Sequence, residues 1–128
     1  MPFLIIKADP AQQIVYGWGN VSIADGDLVT DLQGDQIEPA DLERAVTDFM
    51  LHSRESGVMH EGEPVGDVVA SLVTTPDVMK AFFGDEVKTV PVGWMLGVKV
   101  RNKAIFRRVV AGELKAFSIQ GTADRVPA

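Results

Sequence analysis

Two stretches constrain the fold more than anything else in the chain. QIVYGWGNVSI (Gln13–Ile23) and VPVGWMLGVKVR (Val90–Arg101) are crowded with β-branched and aromatic residues, and glycines interrupt both. Such residues suit a pleated, half-buried surface. Glycine within such a run marks a bend, a bulge or a close backbone approach. These are strands of a curved sheet.

The rest of the chain is read around them. FLIIKA (Phe3–Ala8) is a strand ended by Pro10, and ADGD (Ala24–Asp27) is an Asp-Gly turn. DLVTDLQGDQI adds a short strand and a second turn at Gly34-Asp35. Glu38-Pro39 opens a helix, since proline at the first helical position lacks only an N–H that would have had no partner there. Leu42, Ala45, Val46, Phe49 and Met50 form its apolar stripe, and Gly57 is its expected stop. VGDVVASLVTT (Val65–Thr75) is a strand. Thr75-Pro76 caps a short helix, Asp77–Phe83. Asn102 caps a third helix through Ala111, with Ile105, Phe106, Val109 and Val110 inward and Gly112 at its end. KAFSIQGTADRV (Lys115–Val126) is the last strand. Trp94, Met95, Phe82 and Phe83 are expected in the core, where large apolar residues are mostly found. Several bent strands interrupted by single helices predict an α+β domain over residues 1–128. Its sheet is mainly antiparallel, curled or closed into a β-barrel, with helices packed outside.

Composition narrows the function. The 128 residues are 46% hydrophobic, enough for one core. The longest apolar runs are too short to cross a bilayer, and the N-terminus lacks the pattern of a secretory signal. The chain has no cysteine, so disulfides, thiolate zinc sites and a cysteine nucleophile are excluded. A net charge of −6 opposes binding to phosphate backbones unless basic residues are segregated. KVRNKAIFRR (Lys99–Arg108) is the densest basic cluster and reads as a solvated helix face. A nucleic-acid site there requires Arg101, Lys103, Arg107 and Arg108 on one exposed surface.

Chemistry centres on GVMHEGEPVG (Gly57–Gly66). HEGEP starts like the zinc-protease motif H-E-x-x-H, but Pro64 stands where the second histidine belongs and Gly62 disfavours a helix. No metal or cofactor is expected. His60 reads as a loop residue that can serve as a general base, since imidazole titrates near neutrality. A base needs a nucleophile, and Ser118 in AFSIQGT is the distinctive serine. It follows a helix and a glycine stop at the start of an apolar strand, with the small Gly121 nearby. It is not in the G-x-S-x-G elbow of the α/β-hydrolases.

The order of four segments resembles the phage prohead serine proteases that mature capsids, in their XkdF-like branch. These are VYGWGNVS with VTDLQGDQIEPADLERAVTDFML, SRESGVMHE, PVGDVVASLVTTPD with VPVGWMLGVKV, and VVAGELKAFSIQGTA, spanning residues 14–124. The resemblance implies a fold similar to the herpesvirus assemblins, a β-barrel surrounded by helices. It implies catalysis by Ser118 with His60, and an orienting group for the imidazole among Asp35, Asp124 and Glu61. It also implies capsid and scaffold proteins as substrates, the immature capsid inside the bacterial host cytoplasm as location, and a homodimer. Neither a membrane nor nucleic acid is an expected partner. Because the chain ends ten residues after Ser118, the expectation is a protease domain cut from a longer protein. A non-catalytic assembly or scaffold module on the same fold is the alternative.

Overall fold

The computed structural model describes residues 2–30, 34–55, 57–86, 90–113 and 116–119. Among them the strands are β1 (Pro2–Asp9), β2 (Ile14–Ala24), β3 (Asp27–Leu28), β4 (Val58–His60), β5 (Glu63–Val73), β6 (Val92–Val100) and β7 (Ala116–Ile119). The helices are α1 (Pro39–His52), α2 (Pro76–Phe83) and α3 (Lys103–Val110). The strands neighbour one another in the order β1-β7-β4-β5-β6-β2, and β1 also pairs with β2. The six therefore close into an antiparallel barrel, with β3 appended to β2. The fold class read from the sequence holds.

Alternation along each strand separates inside from outside. Phe3, Val15, Val58, Val68, Trp94, Leu96, Val98, Phe117 and Ile119 are buried in one core. The glycines in β2 and β6 are there for space. A Cβ on Gly17 would lie 1.9 Å from the Leu4 carbonyl oxygen, so only glycine lets β1 approach β2 there. A Cβ on Gly19 would lie 2.6 Å from the Trp94 ring.

Three α1 residues, Leu42, Val46 and Phe49, join the same core. Phe49 meets Trp94 edge-on, with ring centroids 5.1 Å apart at 66°. Burial of each such side chain stabilises by roughly 1.5–3 kcal/mol, so α1 is held by its apolar stripe. It stops at His52 and not at Gly57. Ser53 leaves helical geometry while its N–H still donates to the Phe49 carbonyl, and Gly57 N–H donates to the Ser53 carbonyl at 2.7 Å as the chain turns into β4.

α3 starts and ends as the sequence predicts. Asn102 Oδ1 accepts from the Ala104 and Ile105 N–H groups. Gly112, at φ 78°, sets a Schellman close in which Gly112 N–H donates to Val109 and Glu113 N–H to Arg108. Val110 is a correction, being 55% exposed. The short helix meets the core along Phe106 and Val109, and Val110, one residue on, points off that stripe. α2 corrects the core expectation further. None of its residues is buried, and Phe82 and Phe83 are 74% and 62% exposed. Thr75 caps it as expected, accepting from Val78 N–H, but the helix lies in the connection between the antiparallel neighbours β5 and β6, and none of its residues belongs to the core. Met95 also faces outward, because its β6 neighbours Trp94 and Leu96 face in.

Candidate active site

GVMHEGEPVG folds as a hairpin, so His60 ends a strand and is not the loop residue its sequence suggests. Glu61 and Gly62 form the tip, both at positive φ (51° and 81°), as a two-residue turn of the primed type requires. Glycine makes the second position strain-free. Across the tip His60 pairs with Glu63. The entry into β4 is fastened from the barrel. Arg101 forks onto Asp67 at 2.6 and 3.0 Å and also donates to the Glu55 carbonyl. Val68 N–H donates to the Arg54 carbonyl. The Arg101 hydrogen bond holds the Asp67 carboxyl below its ordinary range, against an opposing push from burial.

The barrel order sets β7 between β1 and β4. Ser118 pairs with Pro2 on one side and Met59 on the other. Two sequence-distant candidates thus lie on adjacent strands, with His60 one residue beyond the partner of Ser118. Phe117 and Ile119 are buried while Ser118 is exposed, so the serine hydroxyl leaves the outer face. By alternation His60 leaves β4 on the side of buried Val58, away from Met59 and Ser118. Its side chain is 16% exposed and its Nε2 is buried with no hydrogen-bond partner. Among the described residues no hydrogen bond joins His60 to Ser118.

The three carboxylates proposed to orient the imidazole fare differently. Glu61 Oε1 lies 3.7 Å from His60 Nε2, outside hydrogen-bond reach but close enough to pair with an imidazolium, and Glu61 is itself 81% exposed. Asp35 is half-buried before α1. Asp124 lies outside the described residues, as does Gly121. Among the described residues no group of acids and histidines gathers in a metal-binding arrangement, and no helix is long and apolar enough to cross a membrane. The basic cluster is divided. Arg101 is committed to Asp67, and Lys99 donates to the Gln12 carbonyl. Lys103, Arg107 and Arg108 stay exposed on α3.

A closed barrel that brings a serine and a histidine to neighbouring strands is met by one further observation. The model of the family described as "Putative phage serine protease XkdF" matches residues 3–127. The chain belongs to this family. As an XkdF-family member it is a phage serine-protease homologue along almost its whole length, and the matched span takes in both His60 and Ser118. It is also similar to the uncharacterized protein YqbD of Bacillus subtilis (strain 168), 28% identical over 125 residues. That alignment covers 96% of this chain and 35% of YqbD, so the chain spans about a third of that relative's length. No solved structure matches it.

Sequence reasoning missed the β-hairpin around His60. The signal was present in Glu61-Gly62 between GVMH and EPVG, a turn dipeptide between two short runs, but Pro64 and the acids masked the strand pattern.

Proposed function

We propose that this XkdF-family chain is a serine endopeptidase in which Ser118 is the nucleophile and His60 the general base. The observation that carries the reading is the pairing of β7 with β4. It sets an exposed serine one residue from a histidine whose Nε2 is buried without a hydrogen-bond partner. An unsatisfied buried nitrogen is costly, and such costs are retained at sites that use them.

In the reaction His60 takes the Ser118 proton as Oγ bonds to the scissile carbonyl carbon. The imidazolium then gives that proton to the leaving amine as the C–N bond breaks, and water releases the acyl group by the same route. The imidazole must first cross the β4–β7 seam to the face of Ser118. His60 is the last residue of β4, beside the Glu61-Gly62 turn, so this crossing breaks its pairing with Glu63. Glu61, adjacent in the chain and 3.7 Å from Nε2 in the resting position, is one candidate to stabilise the imidazolium. Asp35 and Asp124 are the other candidates for that role. The substrates are scaffold and capsid proteins cut within the immature phage capsid in the bacterial host, and the enzyme acts as a homodimer. No cofactor enters this chemistry.

The separate faces of Ser118 and His60 favour a second reading, a non-catalytic capsid-assembly or scaffold module on the same fold. Incubation of the purified chain with its procapsid scaffold, with products read by mass spectrometry, decides between them. Ser118→Ala and His60→Ala should each abolish cleavage and leave the circular dichroism spectrum unchanged. Cleavage surviving in Ser118→Ala removes Ser118 as nucleophile. An intact scaffold with the wild-type chain, bound but uncut, favours the assembly module.

A further inference from the structure

The outer face around Ser118 carries side chains that a closed barrel has no need to expose. β1 presents Phe3 to the core, fully buried, and turns Leu4 and Ile6 outward at 57% and 70% exposure. Leu4 pairs with Ala116 on β7, so it stands on the same face as Ser118 and diagonal to it. Such diagonal neighbours lie about 7–8 Å apart. Ile6 continues the row, at the bulge in the β1–β2 pairing. On the other flank Met59, the direct partner of Ser118, is half-buried. The hydroxyl therefore opens onto a surface with aliphatic side chains along β1 and a methionine on β4. Beyond Met59 the exposed Glu61 and Glu63 make the hairpin side acidic.

We infer that Leu4, Ile6 and Met59 form the specificity surface of the protease, and that it selects extended, non-acidic peptides with aliphatic side chains close to the scissile bond. This rests on the reading of Ser118 as nucleophile. Three observations argue for a peptide as occupant. The apolar row is continuous with Ser118 across paired strands. The spacing from Ser118 to Leu4 and on to Ile6 follows the strand repeat, as alternate side chains of an extended chain do. The carboxylates at the hairpin and the net charge of −6 repel acidic segments. Two anchors on β1 place the aliphatic preference two and four residues from the cleaved bond, on one side of it.

The test uses the full chain with a library of proteome-derived peptides, cleavage sites being read by mass spectrometry. The wild type should cut where Leu, Ile, Val or Met stands two or four residues from the bond. Leu4→Asp and Ile6→Asp change exposed positions and should remain folded. Each should raise KM at least tenfold for such peptides with kcat little changed, and should shift cleavage toward Lys and Arg at the matching position. An unchanged profile in both variants, with Ser118→Ala inactive, overturns this inference and leaves the nucleophile standing. Activity retained in Ser118→Ala overturns the nucleophile instead. If the wild type cuts no library peptide, the inference fails, and labelling of Ser118 by a fluorophosphonate then shows whether the nucleophile survives it.

Discussion

Single atoms decide much of this structure. Gly17 has no room for a methyl group, because the Leu4 carbonyl oxygen occupies that position. Gly17→Ala must push β1 off β2, and overpacking of this kind costs typically 1–3 kcal/mol. The expected result is a lower urea midpoint at unchanged m-value. The Arg101–Asp67 fork makes a smaller contribution, since both side chains are partly exposed and such pairs contribute about 0.2–1 kcal/mol. Its pH dependence has a definite sign. The Asp67 carboxyl is held below its ordinary value of 3.8 by the hydrogen bond from Arg101. Its contribution is present above that value and lost as the pH falls through the lower folded-state value. Asp67→Asn should therefore lower stability at neutral pH and match the wild type in strong acid, as denaturant titrations at several pH values would show.

Helix termini were the most legible parts of the sequence. Pro39, Thr75-Pro76, Asn102 and Gly112 act through backbone groups only a few residues away, so their effect can be read without the fold. Asn102→Ala should cost about 1 kcal/mol through loss of the α3 cap, measurable as a lower melting temperature. The strand of His60 was less legible. Three residues carry too little alternation to announce themselves, and β4 exists because β5 and β7 flank it. The exposure of Phe82 and Phe83 was hidden for a similar reason. An apolar helix reads as buried until the connection between β5 and β6 is seen to leave both phenylalanines outside the core. At the candidate site, the sequence and its family resemblance named Ser118 and His60. The faces they occupy follow from register, which composition does not encode.

Barrel closure joins the two ends of the described chain, because β1 pairs with both β2 and β7. Removing residues 1–9 would expose β2 and β7 along their lengths. The expected outcome is loss of cooperative thermal unfolding, seen by calorimetry, and aggregation through the freed edges. Double substitution of Phe82 and Phe83 by serine, by contrast, should leave the melting temperature within about 1–2 °C, since exposed positions contribute little to stability.

The pairing of Pro2–Leu4 with Ala116–Ser118 also sets an order of events during synthesis. The first strand leaves the ribosome early and must wait for nearly the entire domain before its second partner arrives. Contacts so distant in sequence form slowly. A nascent chain therefore has no seated Ser118 until translation has passed it, so the proposed nucleophile takes its place only as the barrel closes.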